Sequence, residues 1–234
     1  MTRFCVIIIQ ANMNSPESKF IALSRHGELD NPTNIFYNRD SAMRPEDIIH
    51  ISKAGRSQMK ELGEAISKGR FTITRIYTSP QTRTKESSEE LSKTLGGVEV
   101  VVDDDIDEAF APGPYLEGMT MDKFVKDRVN VYDENTWRKY NHENPSGIIA
   151  RMQRALMRIT QELKNGETAV IMSHGDPVAW CLNSLNGGEI PQPKNLREMI
   201  YPTKGESFIL KIETDNKISI LHILPERKQR GSSY

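Results

Sequence analysis

Two rhythms of apolar and polar positions alternate along this chain. Short aliphatic or β-branched runs at 19–24, 71–77, 98–102 and 168–172 read as strands. Between them the spacing becomes helical. Ser52 is placed to cap a helix running to about residue 67, with Met59, Leu62 and Ile66 on one face. Pro80 suits the first turn of a second helix reaching about residue 95, ahead of Gly96-Gly97. The clearest amphipathic pattern is Ile148, Met152, Ala155, Leu156, Ile159 and Leu163, and Met157 is assigned to the same core helix. Further strands are expected at 5–9 and in a closing hairpin of 207–212 and 217–223. A last helix spans 178–185, with Asp176 as its cap and Pro177 at its first position.

Strands alternating with helices predict an α/β fold, three-layer α-β-α around a central, mostly parallel sheet. The run 168–172 is almost wholly apolar, as a central strand buried on both faces should be. One domain is expected over 1–234. Its rhythm breaks only at 103–146, where an acidic run, Pro112-Gly113-Pro114 and two short charged helical segments suggest a lid-like excursion over the sheet edge. Tyr132, Trp137 and Tyr140 are assigned to packing that excursion down, and His50, His142 and His222 to surface or interface positions.

Composition narrows the partners. The 234 residues are 37% hydrophobic, sufficient for a core of this size. The 31 basic and 32 acidic side chains leave a formal net charge of −1, with no broad basic field for nucleic acid or a membrane surface. Any anion must therefore be held by a local cluster. Cys5 and Cys181 lack the spacing of a metal or redox motif and read as buried free thiols of a reducing compartment. The run at 5–9 is too short to span a bilayer. Together these point to a cytoplasmic protein, whose N-terminal strand offers an edge through which two copies could pair as a homodimer.

Two segments share one design. Leu23-Ser24-Arg25-His26-Gly27 and Met172-Ser173-His174-Gly175 are each an apolar strand that ends in Ser and opens into a turn at His-Gly. In open α/β sheets, ligands bind outside the carboxyl ends of the strands. If the two strands are parallel neighbours, both histidines meet there. A third strand end, Thr78-Ser79-Pro80, adds Arg83 one turn into the next helix. Two guanidinium groups and two imidazoles suit a phosphoryl group. Arginine pairs bidentately with phosphate oxygens, and neighbouring positive charge keeps an imidazole neutral and nucleophilic. Protonation of the leaving oxygen still requires an acid.

Leu23-Ser24-Arg25-His26-Gly27-Glu28, Thr78-Ser79-Pro80 with Arg83, and Ser173-His174-Gly175 resemble the histidine phosphatase superfamily, also called phosphoglycerate mutase-like, in its own order. The resemblance spans roughly residues 19–182. It implies that His26 attacks phosphorus and becomes a phosphohistidine, that Arg25, Arg83 and His174 hold the phosphoryl oxygens, and that Glu108 is the general acid. It implies no metal and no cofactor, with a small phosphorylated metabolite or phosphopeptide as substrate. Asp107 or Glu117 could supply the acid instead, because Pro112-Gly113-Pro114 alters the spacing there. Phosphate monoester hydrolysis is the leading expectation. A cofactor-dependent phosphoglycerate mutase and a non-catalytic phospholigand-binding protein are the alternatives.

Overall fold

The computed structural model describes residues 18–37, 39–110, 119–127, 132–185, 200–215 and 217–225. The expected strand at 5–9 and Glu117 lie outside them. The strands are β1 (Lys19–Arg25), β2 (Leu29–Asp30), β3 (His50–Ile51), β4 (Thr72–Thr78), β5 (Val100–Val102), β6 (Glu167–Ser173), β7 (Ser207–Ile212) and β8 (Ile218–Leu224). The helices are α1 (Lys53–Lys68), α2 (Thr82–Thr94), α3 (Met121–Lys126), α4 (Glu134–Tyr140), α5 (Pro145–Glu162) and α6 (Gly175–Leu185).

Six strands form one sheet in the order β5-β4-β6-β1-β7-β8, and β2 pairs with β3 apart from it. Strands β5, β4, β6 and β1 are parallel; β7 runs against β1 and β8 against β7. Because side chains alternate across a strand, β1 feeds two cores. Phe20 and Ala22 join Met59, Leu62 and Ile66 of α1 and Leu91 of α2. Ile21 and Leu23 join Ile148, Met152 and Ile159 of α5 and Trp180 and Leu182 of α6. The result is the expected mixed sheet with helices on both faces. Among the described residues no helix is long and apolar enough to cross a membrane.

Local signals account for most element starts. The Ser52 hydroxyl accepts from the Gly55 N–H (3.1 Å), opening α1, and the Asn144 side chain does the same for the Gly147 N–H (2.9 Å) at α5, where Pro145 occupies the first turn. Four expectations need correction. Pro80 precedes α2, which starts at Thr82 with Gln81 as its N-cap. Asp176 and Pro177 lie inside the first turn of α6, since that helix already begins at Gly175. Met157 is 61% exposed, because each helical residue turns about 100° from the last and its neighbour Leu156 takes the inward direction. His142 is buried against the Tyr132 ring rather than at the surface.

The beginning of the 103–146 stretch is tucked into the sheet end. Ile106 is fully buried, and Arg151 of α5 donates to the carbonyls of Asp105 (2.9 Å) and Asp107 (2.6 Å). Further on, the Phe36 N–H donates to the Met119 carbonyl and the Met121 N–H to the Asn34 carbonyl, each at 2.8 Å. The chain before α3 is thereby stitched to the loop that follows β2.

Candidate active site

Parallel pairing of β1 with β6 sets Arg25 opposite Ser173. The next residue on each strand is a histidine, so His26 and His174 emerge side by side, ring centroids 5.4 Å apart. The His26 N–H donates to the Ser173 carbonyl (3.1 Å) and the Ser79 N–H to the Met172 carbonyl (3.1 Å), so all three strand ends are locked together. Arg83 follows on α2, fully buried, with its guanidinium 5.3 Å from the Tyr37 ring centroid. Arg25, His26 and His174 are buried as well. The four residues named by the strand-end pattern therefore occupy one place.

The His26 loop is pressed against α1 without side chains between them. A Cβ on Gly27 would lie 2.7 Å from the Gly55 carbonyl oxygen, and one on Gly55 would lie 2.2 Å from that of Glu28. Both positions need glycine for close approach. The Gly27 N–H donates to Ser87 of α2 (3.1 Å) and the Glu28 N–H to Gln58 of α1 (2.7 Å). Two helices thus hold the turn that presents His26.

Nδ1 of His26 lies 2.8 Å from the Gly27 carbonyl oxygen. A carbonyl only accepts, so Nδ1 carries the proton and Nε2 keeps its lone pair. Burial, followed by the positive charges of Arg25 and Arg83, holds the imidazole well below its ordinary pKa, and hence neutral. Burial and Arg83 act on His174 in the same direction. Arg25 donates to the Pro202 carbonyl (2.9 Å) and stacks on Tyr201 at 5.3 Å, while its buried Nε has no hydrogen-bond partner among the described residues.

Glu108 faces this group. Its Oε2 is 3.4 Å from Arg83 Nη2 and 3.4 Å from His174 Nδ1. Burial pushes its carboxyl up to about 7, against the opposing pull of Arg83. Asp107 has a different environment. Its Oδ1 accepts from Gln81 Nε2 (2.6 Å), the Glu108 N–H (2.7 Å) and Ser79 Oγ (3.3 Å), and its Oδ2 lies 3.2 Å from Arg39 Nε. With its oxygens so engaged, Asp107 is an organising hub. Ser79 Oγ in turn lies 2.7 Å from His174 Nε2, so the hub reaches the second imidazole through one hydroxyl.

Several participants carry no local sequence signal. Arg39 also donates to the Glu108 carbonyl (2.8 Å from Nε), fixing the backbone at Glu108. Asp40 accepts from the Thr82 N–H (2.6 Å) and approaches Arg83 Nη1 at 3.7 Å. Lys204 pairs with Glu28 at 2.7 Å beside the His26 turn. Each is recruited by a contact distant in sequence. Only the acid-rich run around Asp107 marked this neighbourhood beforehand. Among the described residues no group of three or more His, Cys, Asp or Glu side chains is arranged to hold a metal ion.

Chemically, the site offers a neutral imidazole lone pair, two guanidinium groups and a carboxyl that is protonated up to near neutral pH. Comparison with known proteins gives the family and the fold. The family model of the histidine phosphatase superfamily (branch 1) matches residues 21–215. Phosphoglycerate mutase-like protein 4 of Arabidopsis thaliana is 26% identical over 161 residues, 66% of each chain, so the match spans just under two thirds of that relative. The mycobacterial glucosyl-3-phosphoglycerate phosphatase has a similar fold, with TM-score 0.65, 16% identity, and coverage of 87% of this chain and 96% of that one. A phosphoserine phosphatase from Entamoeba histolytica, solved with phosphoserine, gives 0.65 at 19% identity, covering 88% and 97%.

Proposed function

The chain belongs to the histidine phosphatase superfamily, and from that premise we propose that it hydrolyses phosphate monoesters of small metabolites through a phosphohistidine on His26. One observation carries the reading: the Nδ1 contact to the Gly27 carbonyl leaves Nε2 with a free lone pair, in the field of the buried Arg25 and Arg83 guanidinium groups. Arg25 and Arg83 hold the phosphoryl oxygens, whose charge is spread in the transition state, and His174 borders them. Nε2 forms a bond to phosphorus as the ester P–O bond breaks. Glu108 gives its proton to the departing oxygen. Water then attacks the phosphohistidine, Glu108 takes back a proton, and phosphate leaves. No metal enters these steps. The names of the phosphatases sharing the fold are consistent with this reaction class.

The test is single-turnover acid–base quench with a labelled ester. An adduct stable in alkali and labile in acid should accumulate, persist in the presence of chelator and disappear in His26→Ala. Full turnover by His26→Ala, or loss of activity with chelator and its return with metal, would defeat the proposal. A mutase reading is favoured only by the name of the Arabidopsis relative. Interconversion of phosphoglycerates primed by a bisphosphate would put it first.

A further inference from the structure

Phosphoryl transfer leaves Asp176 unexplained. It stands in the first turn of α6, two residues beyond His174. Two phenols occupy its carboxylate, one on each oxygen: Oδ1 accepts from the Tyr201 hydroxyl (2.6 Å) and Oδ2 from the Tyr132 hydroxyl (2.5 Å). Tyr132 is buried edge-on against Trp180 (5.3 Å) and His142 (5.5 Å), so it gives the carboxylate a fixed backstop. Tyr201 is pinned at its far end, where a Cβ on Gly175 would lie 2.3 Å from its hydroxyl. The face of the same ring carries Arg25, whose guanidinium lies 5.3 Å from its centroid.

A guanidinium recognises phosphate oxygens as a planar fork, so both its plane and its rotation within that plane have to be set. Tyr201 sets the plane through its ring. The rotation is set by the next residue, Pro202, whose carbonyl accepts from Arg25 Nη1 (2.9 Å). With Nη1 so engaged, the edge left for a ligand is the one that carries Nε, and that nitrogen is buried without a hydrogen-bond partner among the described residues. The backbone beyond is tied to the same corner, with the Arg25 N–H on the Glu206 carbonyl (2.9 Å) and the Gly205 N–H on the His26 carbonyl (3.0 Å). We propose that Asp176 is a positioning residue: by holding both hydroxyls it fixes the ring on which Arg25 lies, and with it the plane in which that guanidinium meets a phosphoryl group. The turn that delivers His174 thereby also aligns Arg25. This deepens the phosphomonoesterase reading and rests on it for the task given to Arg25.

Tyr201→Phe removes one hydroxyl while keeping the ring and the carboxylate, and Asp176→Ala removes the bracket itself. On the full chain, each should weaken calorimetric binding of inorganic phosphate about tenfold and lower kcat/KM for glycerol phosphate to match. In an Arg25→Ala background Tyr201→Phe should change kcat/KM by less than about twofold, which a general loosening of the fold would not reproduce. A second readout needs no ligand. The Arg25 Nε–H, assigned by its absence in Arg25→Lys, should have an NMR order parameter near the rigid value of about 0.85 in the parent and below about 0.6 in Tyr201→Phe. Any one of three results overturns the inference: an Arg25 as ordered in folded Tyr201→Phe as in the parent, parental phosphate affinity in that variant, or a kcat/KM loss that persists undiminished without Arg25. If Asp176→Ala fails to fold, Tyr201→Phe decides alone. Loosening of Arg25 in a chain that hydrolyses no ester would defeat the phosphatase reading yet keep the positioning; hydrolysis with Arg25 indifferent to either variant would do the reverse.

Discussion

Replacing Glu108 with Gln separates what this carboxyl does for the reaction from what it costs the fold. Burial holds the group near 7 instead of its ordinary 4.5, and at 1.36 kcal/mol for each pKa step that is roughly 3 kcal/mol. The sign follows from proton binding. Between 4.5 and about 7 the folded chain retains a proton that the unfolded chain has released, so stability falls as pH rises through this window and the full penalty stands above it. Glutamine carries no such penalty. Glu108→Gln should therefore be more stable than the parent by up to roughly 3 kcal/mol near pH 8, with the difference shrinking toward pH 4.5. The side chain is 16% exposed, which makes this figure an upper bound. Urea denaturation at several pH values measures it.

The same substitution should cost about 10²- to 10⁴-fold in kcat on an alkyl phosphate, whose leaving oxygen needs a proton, and much less on a nitrophenyl ester. In the parent, kcat on the alkyl ester should drop about tenfold per pH unit above 7. Its acid side should stay flat to well below 6.5, because His26 remains neutral there. A variant that is less stable near pH 8, or one that hydrolyses the alkyl ester at the parental rate, would refute the reasoning.

Arg83→Lys should lower kcat/KM by roughly ten- to a hundredfold, since a point charge cannot reproduce the planar fork that Arg83 holds between Asp40 and Glu108. Steady-state kinetics on any accepted ester would show it. Gly55→Ala should destabilise the fold by about 2 kcal/mol or more, because the added methyl meets the backbone oxygen of Glu28 and neither main chain can yield. Thermal melting checks this, and an unchanged midpoint would contradict the close approach.

Arg25, His26 and His174 were legible as one cluster because each sits at or just beyond a strand end. An apolar run that stops at a polar residue already says where that side chain emerges, and Arg25, His26 and His174 need nothing more than β1 beside β6 to meet. Arg83 needed only the helical offset from Ser79. The carboxyl facing them was harder to read. Asp107 and Glu108 are adjacent carboxylates of one acidic run, and what distinguishes them is Gln81, Ser79 and Arg39, three donors from elsewhere that occupy the first and leave the second facing His174. Asp176 illustrates the same difficulty. In sequence it looks like a helix cap, whereas its structural meaning comes from Tyr132 and Tyr201. Met157 and His142 were misplaced because composition says what a side chain can do and not which way its helix or loop turns it.

The pairing of β1 with β6 has a consequence for how the chain acquires activity. Phe20 meets Thr168 across most of the sequence, so the central strand pair closes a very long loop, and contacts of that kind form late and slowly. Emerging from the ribosome, Arg25 and His26 appear early and must wait for His174 before either has its neighbours. No early intermediate can therefore hold Arg25, His26 and His174 together. Assembly of these side chains during refolding should coincide with completion of the sheet, which makes the site itself a reporter of finished folding.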